Sequence, residues 1–224
     1  MRPRALYILA IIYLAMTTVP AQTPADHGRR AEPTDALSFY DQGLAYSRSG
    51  HYEEAVAAFE QAISLRPDFA EAFNNLGYTY YRLGRDEKAV KAFSRAIRLK
   101  PEMTVAHSNL GNVYVALGEY KQAILSLKEA VRLDSDDAVT HCSLGIAYYK
   151  SKRYKEAAES FRRAIQFKAD YAEAYYDLGV AYLALKDRGQ ALEQHKVLKA
   201  LAPALAAELF GGIYRGKILA VTQE

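Results

Sequence analysis

From Ala70 to Leu83 the apolar or small residues Phe73, Leu76, Gly77 and Tyr80 stand at i, i+3, i+4 and i+7. That spacing is one face of an α-helix. Gly84 follows where a helix C-terminus favours glycine, in the C′ position. From Asp86 to Leu99 a second helical pattern sets Ala89, Val90, Phe93, Ala96 and Ile97 on one face, and Pro101 stops its continuation. Asp68 before Glu71, and Asp170 before Glu173, have the three-residue spacing of a capping box at the next helix start. Links this short predict antiparallel neighbouring helices.

The pattern recurs every 34 residues. Glycine keeps the interval at Gly43, Gly77, Gly111, Gly145 and Gly179, tyrosine at Tyr46, Tyr80, Tyr114, Tyr148 and Tyr182, and alanine at Ala55, Ala89, Ala123, Ala157 and Ala191. Three coincident columns define an internal repeat with units 36–69, 70–103, 104–137, 138–171 and 172–205. Glycine and alanine predict close approach of helix axes, and the tyrosine column and the column Phe59, Phe93, Phe161 are expected to fill the space between units.

These residues resemble the tetratricopeptide repeat family, whose pattern is an aromatic, Leu-Gly, Tyr, and later Ala, Phe, Ala and Pro. The second unit carries all eight signature residues, as Phe73, Leu76, Gly77, Tyr80, Ala89, Phe93, Ala96 and Pro101. The first departs at Gln42, the third at His107, Leu127 and Ser135, the fourth at His141 and Ala169, and the fifth at His195 and Leu198. The resemblance covers 36–205 and implies an all-α fold, an α-solenoid winding as a right-handed superhelix of five helix-turn-helix repeats. Residues 206–224 are expected to supply a C-terminal capping helix and tail, with Ala204 to Phe210 covering the open end and Gly211 and Gly212 interrupting the helix.

The same resemblance implies that the first helices line a concave groove for a peptide or helix segment of another protein. The stripe opposite the packed face holds Tyr40, Leu44 and Arg48, then Asn74, Tyr78, Tyr81 and Arg82, then Ser108 and Asn112, then Cys142, Ile146, Tyr149 and Lys150, and last Tyr176 and Val180. Five of these are tyrosines, which offer rigid apolar area with a polar tip. Asn75 and Asn109, bordering the stripe, are similar to the asparagine ladder in the repeats of protein O-GlcNAc transferases, whose amides hold a peptide backbone. The carboxylate clamp of chaperone-binding relatives is not matched, because Tyr40, Val105 and Val139 stand where its lysines are wanted.

Composition narrows the function classes. With 29 Lys plus Arg against 26 Asp plus Glu, the formal charge of +3 offers no nucleic-acid footprint. One cysteine, Cys142, excludes an internal disulfide and a cysteine-rich zinc site. Gly211 to Lys217 reads G-x-x-x-x-G-K, but Ile218 replaces the Ser or Thr of a phosphate-binding loop and no strand precedes it. His107 and His141 stand where the family packs a large residue, so they are expected to be structural. Asp134, Asp136 and Asp137 are expected to serve turn formation and N-capping. No base, nucleophile and oxyanion donor assemble from these positions, and the chain is expected to be no enzyme and to use no cofactor, metal or small-molecule substrate.

Arg2 and Arg4, the uncharged run from Ala5 to Val19, and the exit Val19-Pro20-Ala21 make residues 1–21 an expected signal peptide cleaved before Gln22. The alternative is a membrane anchor formed by residues 5–19. Residues 22–35, with two prolines and no apolar periodicity, read as a flexible leader. The expected product is an exported, periplasmic or extracellular protein-binding scaffold. The alternative function is a self-associating structural component or assembly factor of the cell envelope.

Overall fold

The computed structural model describes residues 35–221, with side chains over 35–214. The expected signal peptide or anchor and all of the expected leader but its last residue lie outside the described residues. The described chain contains eleven α-helices and no strand. It divides into two compact units, the first ending at Leu117 and the second beginning at Gly118.

The first unit holds α1 (Ala36–Arg48), α2 (Tyr52–Leu65), α3 (Ala70–Arg82), α4 (Asp86–Leu99) and α5 (Thr104–Ala116). Asp35 caps α1, its Oδ1 accepting from the backbone N–H of Leu37 and of Ser38 at 2.9 Å each. Successive helices pack in sequence order, α1 on α2, α2 on α3, α3 on α4 and α4 on α5. Their shared core is Phe59, Phe93, Leu76, Tyr80, Leu110 and Val113, with alanines 55, 89 and 92 buried among them. The phenylalanines do not simply fill space between units. An added Cβ on Gly43 would stand 2.6 Å from the Phe59 ring, and one on Gly77 2.9 Å from the Phe93 ring, so each ring lies on the glycine of its own hairpin. The tyrosine column does cross units, because the Tyr80 hydroxyl donates to Glu60 Oε1 on α2 at 2.7 Å. Burial and that acceptor together push the Tyr80 phenol up to about 12.

The second unit holds α6 (Tyr120–Leu133), α7 (Ala138–Lys150), α8 (Tyr154–Phe167), α9 (Ala172–Ala184), α10 (Arg188–Leu201) and α11 (Pro203–Val221). Asp137 caps α7, accepting from the N–H of Val139 and of Thr140 at 3.1 Å each. Asp134 Oδ1 accepts from the Asp136 N–H at 3.2 Å, so the acidic cluster is a turn and a cap. Gly145 lies against Phe161 as Gly43 lies against Phe59. The fifth hairpin has no phenylalanine at that place. There Leu209 of α11 closes on Gly179, at 2.5 Å from an added Cβ, and His195 turns to the Ala206 carbonyl, with Nδ1 at 3.0 Å. Leu198, Leu209, Ala206 and Ile213 then form one buried cluster.

Two local expectations are corrected. The capping boxes at Asp68 and Asp170 do not form: α3 and α9 begin one residue later than that motif requires, with Phe69 and Tyr171 at the N-cap and no side-chain capping bond. Gly211 and Gly212 do not interrupt the last helix, which runs unbroken from Pro203 to Val221. A helical glycine costs about 1 kcal/mol against alanine. The packing of Leu209 and Ile213 on either side of the pair offsets that cost.

Candidate functional site

The stripe predicted from the sequence falls on the first helix of each hairpin, and each unit is described by itself. In the first unit Asn74, Asn109 and Asn112 are buried, at 8%, 6% and 7% exposure. Tyr40, Leu44, Asn75, Tyr78, Tyr81 and Ser108 are half-buried, and Arg82 is exposed.

Four of these side chains form one hydrogen-bonded row across three helices. Asn109 Nδ2 on α5 donates to Asn74 Oδ1 on α3 at 3.3 Å. Asn74 Nδ2 donates to Asn75 Oδ1 at 3.3 Å, and Asn75 Nδ2 donates to the Tyr40 hydroxyl on α1 at 2.8 Å. The spacing explains the row: each step between hairpins joins residues 35 apart, one more than the repeat, so the sixth place of a unit reaches the fifth place of the unit before it. Every bond runs in the same direction. Each amide nitrogen uses one of its two N–H donors in the row, and the Tyr40 hydroxyl, having accepted, keeps its own proton to donate. Burial raises the Tyr40 phenol above its ordinary range, so it stays a neutral donor. The repeat pattern singles out Asn75 and Asn109 but not the roles of Asn74, which links them, and of Tyr40, which ends the row.

At the end of the same face Arg82 Nη1 donates to the Tyr78 hydroxyl at 2.8 Å. Its guanidinium carbon lies 4.7 Å from the Tyr52 ring centre and 5.7 Å from that of Tyr78. Tyr52, on α2, was missed from the sequence. The signal was available, since tyrosine opens the second helix in three units, at Tyr52, Tyr120 and Tyr154.

In the second unit Ile146, Tyr149 and Tyr176 are half-buried. Tyr149 packs on Tyr154 with ring centres 5.3 Å apart. Tyr176 is taken by the chain's own last helix, its hydroxyl donating to Glu208 Oε1 on α11 at 2.8 Å. Beside it Asp177 occupies the ladder's sixth place, and the fifth place one unit back is Cys142 rather than an amide. Burial first, then the charge of Glu173, push the Asp177 carboxyl up to about 7 against the opposing pull of Lys150. Burial likewise pushes the Cys142 thiol up, so it is a poor nucleophile.

The remaining chemical candidates have structural partners. His107 Nε2 donates to the Pro101 carbonyl at 2.9 Å, and His141 Nε2 to the Ser135 carbonyl at 2.8 Å. His141 also stacks on Phe167, with ring centres 5.4 Å apart. The Gly211–Lys217 run lies inside α11, which commits its N–H groups to the helix rather than to a phosphate. Among the described residues no group of three or more His, Cys, Asp or Glu is placed to hold a metal ion, and no helix is long and apolar enough to cross a membrane.

Helices packed in sequence order within each unit, with glycine–phenylalanine contacts at Gly43, Gly77 and Gly145 and a polar row across α1, α3 and α5 of the first unit, define a helical-repeat protein of the all-α solenoid class. Family models for the tetratricopeptide repeat match residues 40–104, and for the TPR repeat residues 111–152 and 147–186. The chain belongs to the tetratricopeptide repeat family. Among solved structures it is similar to MamA 41-end from Desulfovibrio magneticus RS-1, at 22% identity and a TM-score of 0.72, covering 78% of this chain and 98% of that one. It is also similar to YrrB, described as a TPR protein with an unusual peptide-binding site, at 26% identity and a TM-score of 0.67, covering 78% and 91%. A third is TTC0263, a thermophilic TPR protein in Thermus thermophilus, at 23% identity and a TM-score of 0.62, covering 80% and 98%. No curated protein matches the sequence.

Proposed function

We propose that this protein is a non-enzymatic interaction module that holds a peptide or helix segment of a partner protein against the first-helix face of its first unit. The observation that carries the reading is the directed row from Asn109 through Asn74 and Asn75 to Tyr40, with half-buried Tyr78 and Tyr81 further along α3. An extended backbone needs donors and acceptors at regular intervals whatever its side chains are. The half-buried end of the row supplies them, through the spare amide groups of Asn75 and the Tyr40 proton, while buried Asn74 and Asn109 hold that end in place. The mutual bonds hold the amides in place beforehand, so little rotamer entropy is lost on docking. The similarity to YrrB, whose site is one for peptides, supports the same reading. With residues 1–21 expected to be a signal peptide, the encounter belongs to an exported compartment.

Site-specific photo-crosslinking in the producing cell tests this. A benzophenone side chain at position 78 is expected to trap a partner band, whereas the same group at position 91, exposed on α4, traps none. Equal trapping at both positions, or trapping at 91 alone, would overturn the assignment of the face.

A further inference from the structure

Lys88, Lys91, Arg95 and Arg98 stand at i, i+3, i+7 and i+10 of α4, one stripe about 15 Å long. It runs on the side away from buried Ala89, Ala92, Phe93 and Ala96. Lys88, Lys91 and Arg98 are exposed and Arg95 is half-buried. Among the described residues none of the four has an ion pair. The cations that flank α4 differ, since Arg85 holds Glu53 at 2.7 Å and Lys100 holds Glu71 at 3.1 Å. The acids of α4, Asp86 and Glu87, are confined to its first turn, where the helix dipole favours them.

The 34-residue register makes this stripe particular to the second repeat. At the same four places the first repeat has Glu54, Ala57, Gln61 and Ser64, and the fifth has no cation. The third and fourth have one each, Arg132 and Arg163, and each is paired with an acid of its own helix, Glu129 and Glu159. Like charges three and four residues apart repel, so four together without an acid burden the free helix until an anion arrives. Two of the heads are held at the surface by rings, Lys88 over Tyr80 at 5.3 Å and Arg95 over Phe73 at 5.8 Å.

The rest of the face selects among polyanions. A protein interface is built around an apolar core, but the large exposed hydrophobics of the first unit are Leu37 on α1 and Leu65 on α2, and α4 has none. A nucleic-acid site spreads basic charge beyond one helix, and this chain carries only +3 in all. A layer of phosphate headgroups needs neither feature, because it attracts any cation brought within a screening length. Residues 1–21, expected as a signal peptide or an anchor, bring the chain to a membrane in either case.

We propose that the outer face of α4 docks the first unit on a bilayer that contains anionic phospholipid, with Lys88, Lys91, Arg95 and Arg98 meeting the headgroup phosphates. The stripe is on a second helix, so it is a surface separate from the first-helix face, and neither reading depends on the other.

Flotation of the full chain with lipid vesicles tests it. The wild type is expected to favour vesicles of phosphatidylcholine and phosphatidylglycerol in equal parts over phosphatidylcholine alone. Lys91→Gln with Arg98→Gln, at two exposed positions, should lower partition into the anionic vesicles about 25-fold, about fivefold for each cation. Arg132→Gln with Lys196→Gln removes the same net charge from two ion-paired positions and should leave the partition unchanged. Arg2, Arg4 and the apolar segment 5–19 are common to all three chains, so the differences between them read the stripe. Raising the salt from about 0.1 to about 1 M shortens the screening length from about 10 to about 3 Å and should abolish the difference between the wild type and the α4 variant. Free glycerol phosphate at the lipid concentration should not displace the wild type. Equal loss in the two double variants, or a wild type that favours neither vesicle, would overturn the proposal. So would displacement by glycerol phosphate, which makes the face a small-anion site. Binding of polyglutamate or of a single-stranded oligonucleotide that depends on Lys91 and Arg98, in a chain that ignores the vesicles, would overturn it as well.

Discussion

Asp177 shows how one side chain can break a pattern that its neighbours keep. In the first unit the sixth place is Asn75 and Asn109, and each donates to the residue 35 positions earlier, Tyr40 and Asn74. At Asp177 that earlier residue is Cys142, whose thiol is a weak donor and a weak acceptor. The carboxyl is therefore desolvated without an amide in return. The groups around it are Glu173 and Tyr176 on its own helix, Tyr171 just before that helix, Lys150 and Tyr149 on α7, and Cys142, and of these only Lys150 favours its charge. An acid whose folded pKa lies above its unfolded value binds its proton more tightly in the native state. Its cost is absent below pH 4, grows as pH rises through the unfolded value towards about 7, and is then constant. Asp177→Asn is thus expected to raise stability at pH 8, to leave it nearly unchanged at pH 4, and to flatten the profile between. Urea denaturation at the two pH values checks this, and a gain at pH 4 as large as at pH 8 would contradict it.

At the scale of the element, the turn inside each hairpin demands a left-handed residue. Gly50, Gly84 and Gly118 take it, with φ of 81°, 69° and 76°. In the fourth and fifth units lysines do the same, Lys152 at 64° and Lys186 at 63°. A residue with a Cβ pays a steric penalty there that glycine does not. The penalty exceeds the entropy glycine adds to the unfolded chain, so Lys152→Gly and Lys186→Gly should each stabilise by about 0.5–1 kcal/mol. Their effects should add, because the sites lie in different hairpins. Thermal unfolding of the two single variants and the double checks both points. The same elements show what the sequence made legible. The 34-residue period set hairpin geometry because packed helices repeat their contacts, and Gly77, Tyr80 and Phe93 could be placed from it. The capping boxes misled, because Asp68 and Glu71 have the right spacing but the helix starts one residue too late to use it. The amide row was half legible: Asn75 and Asn109 share a column, whereas the bonds run from the sixth place to the fifth, and a register shift of one is invisible to a period.

At the scale of the molecule, a repeat array must end, and a last hairpin has no successor to cover the face that a repeat buries against the next one. The apolar stretch after Pro203 pointed to a cap, but not to the residues that make it, because α11 lies beyond the period and matches no column. The structure meets the need with residues that depart from the family pattern. His195 replaces the aromatic that would cover Gly179, Leu209 enters from α11 to cover it instead, and Leu198 fills the place of a small residue. The departures at 195 and 198 and the helix that follows them are one adaptation. A chain ending at Ala202 would expose Leu198, Ala191 and the uncovered groove over Gly179 as one apolar patch, the kind of surface that drives association. Light scattering is expected to show concentration-dependent oligomers for that chain. The milder change Leu209→Ala removes only the contact over Gly179, and at a site with 1% exposure it should cost about 2–4 kcal/mol while the chain keeps its helical content. If both variants behave as the full chain does, α11 is an appendage and not the cap of the array.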